Sequence, residues 1–412
     1  MKISFVSVYN FFIYIIVILN LGFLNFFFQS DRIVFKISIV LSLIVFLIYM
    51  FQPHKKNITK NTALYVALTF GLYLIEFLRK SRPYVISTDN MIYQFGGIAL
   101  LLLSFPMYEV ISSDKKNLLA KLVIIGYVIL TMKFIVWFFY NFFQINLAPG
   151  VWGYKIDWTR QLMGRTFTRL SGTFIDELLL VYSFFILITE ENKVYKRILS
   201  GIGILFLLFY AIVVTQYRMI IVLYILTILG LTFLVSYKSN NRTASLVILV
   251  LFLSVILIVN WTSIKDFIAT FSTNSNITGG STSFRLWEFN YFKSLWVHNN
   301  FWLGFGFIPD MVIPYNGVGY YLSDLGFTAN LYQFGLIGFC ILILPFFVGV
   351  ISSVRCLWLS AYKNKLNFIF IGLTLYIVMS LIPYNPYNPS LITFMPIYIS
   401  LLNYCDISNL NE

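Results

Sequence analysis

Apolar runs of about 20 residues recur from one end of this chain to the other, and a run of that length can cross a membrane as a helix. Inside hydrocarbon each backbone amide needs a hydrogen-bond partner within its own segment, so such runs favour helices. Apolar residues make up 59% of the 412 residues, and charged residues only 11%. The sequence therefore predicts an all-α polytopic membrane protein, with a single integral membrane domain over residues 1–412.

The apolar runs predict about 12 transmembrane helices. They lie near residues 11–28, 33–51, 62–78, 91–110, 118–144, 173–189, 198–214, 219–237, 244–261, 327–351, 367–383 and 389–404. We interpret the first run as a retained span, because no small-residue cleavage site follows it. Long interruptions occur at 144–172 and 262–326, and the second predicts one large loop.

Short basic loops set the predicted orientation. If the N-terminus is cytoplasmic, these loops fall inside, as the positive-inside rule requires. They contain Lys55, Lys56, Lys60, Lys115, Lys116, Lys193, Lys196, Arg197, Lys238, Arg242, Arg355, Lys363 and Lys365. Both termini are then cytoplasmic, and the loops 144–172 and 262–326 are extracytoplasmic.

The net charge of +13 could reflect topology alone, but arginines also occur on the predicted outer side. These arginines are Arg160, Arg165, Arg169, Arg218 and Arg285. The rigid fork of arginine binds two phosphate oxygens at once, which the lysine ammonium cannot do. An extracytoplasmic anionic ligand would explain the pattern. The alternative is that these arginines pair with acids or lipid headgroups at the interface.

Arg218 ends a short hinge, Thr215–Arg218, between two apolar runs, which places its charge at the outer membrane surface. An ionisable group in that position is costly unless it faces a polar cavity, so it indicates function. Arg169 begins a similar hinge ahead of Asp176 and Glu177. Those acids could clamp Arg169 structurally or orient it toward a ligand.

An amphipathic helix is predicted to begin near Ser281 in the large loop, with Arg285 in its first turns. Its predicted apolar face consists of Leu286, Phe289, Phe292 and Leu295. A helix of this kind can lie on a membrane surface. The loop tryptophans form an interfacial belt or offer flat faces to sugar rings, and Trp287 is predicted to contact substrate.

Four side chains of the large loop could act as a general base: His298, Asp310, Asp324 and Glu288. Asp324 is preferred because it lies where the loop re-enters the membrane at Phe327. Capping of the next helix is the structural alternative for Asp324. His298 is predicted to contact substrate.

The sequence contains no metal-binding or nucleotide-binding pattern. The cysteines Cys340, Cys356 and Cys405 lie in an apolar run, a basic loop and a polar tail, so neither a disulfide nor a zinc site is predicted. A metal-independent reaction without a cofactor, on a pre-activated, lipid-borne anionic donor, fits these features. Nucleic acid is not an expected partner.

Several short motifs occur in an order that resembles a known family. They are Arg-Leu-Ser-Gly-Thr-Phe at 169–174, Thr-Gln-Tyr-Arg at 215–218, Arg-Leu-Trp at 285–287, Gly-Phe-Gly at 304–306, and Asp324 ahead of Gly-Leu-Ile-Gly at 335–338. Together they resemble bacterial O-antigen and capsule repeat-unit polymerases of the Wzy type and the related O-antigen ligases. The resemblance covers roughly the second half of the chain.

The resemblance implies a GT-C-like fold that polymerises undecaprenyl-pyrophosphate-linked oligosaccharides by inverting transfer, at the outer face of the bacterial plasma membrane. Arg218 and Arg285 would hold the pyrophosphate, and Arg169 would help from the neighbouring segment. Asp324 would deprotonate or orient the acceptor hydroxyl. Arg165 is the further predicted substrate contact.

Two departures from the family pattern bear on the reaction. Ligases of the family usually carry a histidine where this chain has Asp324, which favours a polymerase. Tyr217 stands where a small serine commonly precedes the arginine.

A ligase that transfers glycan to an acceptor, and a lipid-linked oligosaccharide flippase, are the alternative functions. A flippase should carry its charges within the spans, where Lys133, Glu76 and the Asp176–Glu177 pair are the main ones. The family implies membrane lipids, a chain-length regulator and a flippase as partners.

Overall fold

The computed structural model describes residues 5–27, 31–52, 60–79, 84–113, 117–152, 159–162, 165–188, 194–238, 281–299, 301–309, 311–313, 319–358, 364–389 and 391–410. Within these residues the regular secondary structure is helical apart from two short antiparallel hairpins. The hairpins pair β1 (Thr159–Leu162) with β2 (Arg165–Thr168), and β3 (Met311–Val312) with β4 (Tyr320–Tyr321).

The helices follow the apolar runs. In the first part of the chain they are α1 (Phe5–Asn20), α2 (Asp31–Met50), α3 (Lys60–Leu78), α4 (Thr88–Gly97), α5 (Ser104–Ser112), α6 (Leu118–Phe143) and the short α7 (Pro149–Trp152). In the second part they are α8 (Asp176–Ile188), α9 (Val194–Phe209), α10 (Arg218–Lys238), α11 (Ser281–Asn299), α12 (Thr328–Trp358), α13 (Lys365–Ser380) and α14 (Met395–Leu410). A 3₁₀ helix, Ile98–Leu103, joins α4 to α5.

Eight helices in the described part of the chain are long and apolar enough to cross a membrane. They are Phe5–Phe26, Arg32–Met50, Lys60–Leu78, Thr88–Ser112, Leu118–Phe143, Val194–Thr215, Arg218–Val235 and Thr328–Trp358. The architecture is therefore that of an all-α, multi-pass membrane protein, as the sequence predicted at this level.

The first span, predicted at 11–28, begins earlier, at Phe5, and three other predicted spans contain helices that are short. α8 has 13 residues, and α13 and α14 have 16 each, fewer than the roughly 20 that a full crossing needs. The last span, predicted at 389–404, is wrong in its bounds, because the chain turns after Asn385 and α14 begins only at Met395. The span predicted at 244–261 lies outside the described residues.

α13 occupies the centre of the second half of the bundle, where it contacts α8, α10, α12 and α14. Its side chains are buried nearly all round, including Phe368, Phe370 and Leu373. A helix that is apolar on every side is stable when neighbours cover every side. The apolar composition of α13 thus reflects packing against protein.

Several segments at or beside the loops predicted to be extracytoplasmic contact one another, and we call the part of the bundle where they lie the loop end. There the Leu170 N–H donates to the Val214 carbonyl at 3.2 Å, and the Phe327 N–H donates to the Leu381 carbonyl at 2.8 Å. These bonds connect segments that are far apart in sequence.

The large loop docks onto α12 through two glycine-containing segments. The helix is broken at Gly335, which has a φ of 65°. Here the Gly306 N–H donates to the Gln333 carbonyl at 2.8 Å, and the Leu336 N–H donates to the Phe301 carbonyl at 3.2 Å. A Cβ atom on Gly335 would lie 2.2 Å from the Trp302 carbonyl oxygen, so the close approach of the two chains requires glycine.

The cysteine prediction is wrong for one pair. Cys356 on α12 and Cys405 on α14 are fully buried and form a disulfide, with Cα atoms 7.4 Å apart. Both lie in helices, whereas the sequence predicted a basic loop and a polar tail. Sequence spacing could not indicate the pairing, because it depends on which helix ends are neighbours.

Candidate functional site

The hinge before Arg218 has an unusual backbone. Residues Tyr210–Thr215 form a π-helix, and Gln216 at its end adopts the left-handed conformation with a φ of 53°. The Gln216 N–H donates to the Ala211 carbonyl at 3.0 Å. π-helical turns and strained non-glycine residues occur disproportionately at functional sites. This strained turn brings Tyr217 and Arg218 to the loop end as α10 begins.

The segment that contains Arg169 is fixed by α6. The Trp137 indole donates to the Thr168 carbonyl at 2.8 Å, and the Asn141 side-chain oxygen accepts the Thr168 N–H at 2.7 Å. These bonds hold the chain at the position where the Arg169 guanidinium lies over the Tyr217 ring, 5.2 Å from the ring centroid. Arg169 is therefore next to the residue that precedes Arg218.

Asp176, the first acid after Arg169, binds to its own turn. Asp176 is buried and accepts hydrogen bonds from both the backbone N–H and the hydroxyl of Thr173. The Lys133 ammonium donates to the Gly172 carbonyl at 2.8 Å, close enough for its charge to act on Asp176. These contacts give Asp176 a local structural role at the start of α8.

Two charged residues of α11, Arg285 and Glu288, differ in their exposure to solvent. Arg285 is exposed, whereas Glu288 is fully buried. One carboxylate oxygen of Glu288, Oε1, accepts the Tyr321 N–H at 2.8 Å. The other, Oε2, has no hydrogen-bond partner among the described residues. Burial, helped by the negative charge of Asp324, raises the pKa of Glu288 to about 7, although the hydrogen bond from the Tyr321 N–H and the charge of Arg285 lower it.

Asp324 lies in a short 3₁₀ helix, Leu322–Leu325, directly after Tyr321. Its side chain is exposed at the surface. Partial desolvation by the surrounding protein raises the pKa of Asp324, and the nearby Arg285 charge works in the opposite sense. Arg285, Glu288 and Asp324 thus form one electrostatic group.

Tyr384 interacts electrostatically both with this group and with the Arg169 side of the site. It is half-buried in the turn after α13, and its pKa, raised by burial, responds to both the Tyr217 hydroxyl and the Arg285 charge. The turn is held by the Asn385 side chain, which exchanges two hydrogen bonds with the amide of Asn330, at 2.9 and 3.0 Å.

We call the resulting constellation the polar cluster. It consists of Arg169, Tyr217, Tyr384, Arg285, Glu288 and Asp324. Its members come from segments that the sequence separates widely, and they meet at the loop end. Arg218 follows Tyr217 directly.

Other predicted site residues lie elsewhere on the loop end. Arg165 is exposed on β2, and Trp287 is 60% exposed on α11. His298 is exposed 13 residues after Arg285 in the same helix, which is about 20 Å along its axis. Its Nδ1 atom lies 2.7 Å from the Ser294 carbonyl oxygen. The candidate base Asp310 lies outside the described residues.

The predicted apolar face of α11 is partly wrong. Leu286 and Phe289 are 48% and 37% exposed, whereas the buried positions are Glu288, Phe292 and Trp296. The buried face follows a strict four-residue spacing and packs against the loop's own apolar cluster. Phe292 belongs to both patterns, and Leu295 of the predicted face is partly buried against the same cluster. The buried carboxylate at position 288 is what the sequence pattern did not indicate.

The polar cluster contains cations, carboxylates and phenols but no metal-binding arrangement: no group of three or more histidine, cysteine or acidic residues that could hold a metal occurs in the described ranges.

The chain matches no protein-family model, and comparison with curated proteins finds no significant match.

Proposed function

We propose that this protein is a membrane glycosyltransferase that joins undecaprenyl-pyrophosphate-linked oligosaccharide repeat units into a surface polysaccharide. The reaction would occur at the outer face of the bacterial plasma membrane, without metal or cofactor. The observation that carries this proposal is the polar cluster, in which Arg169 and Arg285 share one end of the bundle with the carboxylate of Asp324.

The arginines would bind the leaving group. When the glycosidic bond to the carrier breaks, negative charge grows on the pyrophosphate, and Arg285, with Arg218 and Arg169, would neutralise it. A hydrogen-bond donor that faces the developing charge typically lowers the activation free energy by about 3 kcal/mol. Arginine suits this role because its fork binds two phosphate oxygens at once.

Asp324 would accept the proton of the acceptor hydroxyl. The hydroxyl oxygen would attack the anomeric carbon of the donor sugar, with inversion, as the bond to the pyrophosphate breaks. The raised pKa of Asp324 makes its carboxylate a stronger base than an ordinary aspartate. Its exposure leaves it accessible to a bound sugar.

The test is a gel profile of surface and lipid-linked glycans in the encoding bacterium after gene deletion, followed by complementation. We expect deletion to collapse a ladder to a single repeat unit, and wild type to restore it while Arg285→Ala does not. The matched control is Lys293→Ala on the exposed side of the same helix, which should restore the ladder.

Two other profiles would overturn the proposal. Long glycan that accumulates on the lipid carrier would indicate a ligase, and single units trapped on the cytoplasmic side would indicate a flippase.

A further inference from the structure

Glu288 is a fully buried carboxyl group that connects two parts of the polar cluster. It lies one helical turn after Arg285, on the face of α11 that packs against the loop's own apolar cluster. Its Oε1 atom accepts the Tyr321 N–H at 2.8 Å, and Tyr321 leads directly into the turn with Asp324. This hydrogen bond holds the Asp324 turn against the helix of Arg285, together with the packing of Leu322 and Leu325 in one apolar cluster with Phe292.

The burial of the second oxygen of Glu288, Oε2, favours the uncharged carboxyl group over the carboxylate. Oε2 is buried and has no hydrogen-bond partner among the described residues, and a buried, unpaired negative charge is very costly. The charged groups that act on Glu288 are Arg285 on its own helix and Asp324 on the adjoining turn, besides the Tyr321 N–H. Burial and Asp324 disfavour the carboxylate more than the Tyr321 N–H and Arg285 favour it, and they raise the pKa of Glu288 to about 7.

We propose that Glu288 is a positioning residue that, in its uncharged form, holds the Asp324 turn against α11 and leaves the charge of Arg285 available for an anionic donor. This inference rests on the proposed function. Ionised Glu288 would attract Arg285 and reduce the net positive charge at the place where the pyrophosphate would bind. Protonation of Glu288 thus controls how strongly the cluster binds an anion.

The variants Glu288→Gln and Glu288→Ala separate the effect of the Glu288 charge from the effect of its hydrogen bond to the Tyr321 N–H. Glutamine stays uncharged at every pH and retains an oxygen that can accept the Tyr321 N–H, whereas alanine removes that acceptor. Polymer formation from the lipid-linked repeat unit would be measured with purified protein in vesicles, from about pH 6 to 8.5 across the raised pKa. Glu288→Gln should match wild type at the acidic end, and Glu288→Ala should be impaired throughout.

The dependence of polymer formation on pH tests the inference. Wild-type activity should fall toward the alkaline end by up to about tenfold per pH unit above the pKa of Glu288, because only the uncharged fraction is competent. Glu288→Gln should lack this decline. A Glu288→Gln variant as inactive as Glu288→Ala, or one with the wild-type alkaline decline, would overturn the inference.

A stability measurement separates this inference from the proposed function. The folded-state pKa of Glu288, about 7, is above its ordinary value, so the stabilisation from the uncharged form is complete below the ordinary pKa and is lost as pH rises through about 7. The Tm of Glu288→Gln relative to wild type should therefore increase between acidic and alkaline pH. If this difference appears without polymerase activity in wild type, the proposed function is wrong; if it is constant, Glu288 is not the uncharged residue that we infer.

Discussion

The guanidinium of Arg169 lies over the ring of Tyr217, with its Cζ atom 5.2 Å from the ring centroid. The contact joins the segment after β2 to the beginning of α10, and thus fixes the position of one cation of the polar cluster relative to Arg218. Tyr217 also acts electrostatically on Tyr384. A serine at position 217, as is common in the family that the motifs resemble, would offer no such surface.

Replacing Tyr217 with leucine should therefore lower the rate of polymer formation. A cation–π contact of this kind contributes about 0.5–2 kcal/mol, which corresponds to a loss of about twofold to thirtyfold if the contact is needed in the transition state. Tyr217→Phe retains the ring and should stay near wild type. The rates would be compared in vesicles at equal protein amounts. A phenylalanine variant as slow as the leucine variant would show that the hydroxyl matters and the stacking does not.

Much of the helical framework could be predicted because it follows from hydrophobic length alone. The run at 118–144 became α6, Leu118–Phe143, and the run at 62–78 became α3, Lys60–Leu78. For short apolar runs, tertiary packing decides whether the helix is covered by protein or by lipid. α13 is apolar on all sides yet has only 16 residues, and the sequence alone could not distinguish a helix covered by neighbours from one covered by lipid.

The candidate site was only partly predictable, for a similar reason. Arg169, Arg285 and Asp324 were identified from their chemistry and their place in the chain, but the arrangement that relates them depends on contacts between distant segments. The sequence indicates Glu288 only as a possible base, because an acidic residue on a helix in a loop is expected to face water. Tyr384 gave no signal beyond its position beside the Asn-Pro break at 385–386.

Arg285→Ala should reduce the rate of polymer formation by about 100-fold or more, because the variant loses a donor to the developing charge of the leaving group. Arg285→Lys should recover little of that loss, since the ammonium cannot bind two phosphate oxygens in the fork geometry. Initial rates would be measured with purified protein. Lys293→Ala, at an exposed position of the same helix, is the control for a general effect of lost positive charge. Wild-type rates in Arg285→Lys would contradict the bidentate role.

Gly335→Ala should destabilise the docking of the large loop. The new Cβ would lie 2.2 Å from the backbone carbonyl oxygen of Trp302, at a φ of 65° that alanine rarely adopts, so the expected cost is at least about 1–3 kcal/mol. The matched control is Gly71→Ala in α3, where a Cβ meets nothing within 4 Å; this change should be neutral or stabilise by about 0.5–1 kcal/mol.

Thermal unfolding in detergent and limited proteolysis of the large loop would measure both glycine variants. We expect early cleavage of the loop in Gly335→Ala only. Equal stability and equal protease resistance in the two variants would mean that the backbone at Gly335 can move away from Trp302 at little cost.

The amide pair of Asn330 and Asn385 should be strongly coupled. Asn330 is completely buried on α12, and its side chain exchanges hydrogen bonds of 2.9 and 3.0 Å with Asn385 in the turn that carries Tyr384. Asn330→Ala leaves the Asn385 amide without that partner, at a cost of about 1–3 kcal/mol. Asn385→Ala should cost more, because the Asn385 oxygen also accepts the Tyr387 N–H at 3.1 Å.

A double-mutant cycle on this pair would show whether the turn depends on it. Once either asparagine is absent, loss of the other should cost less, so the double variant should be more stable than the sum of the single effects predicts, by about 0.5–3 kcal/mol. Polymer formation should fall in both single variants, since the turn that carries Tyr384 would lose the hydrogen bonds that hold it to α12. Denaturant unfolding of the four proteins gives the coupling energy. Strictly additive effects would mean that the two amides do not hold each other, and that packing alone positions the turn.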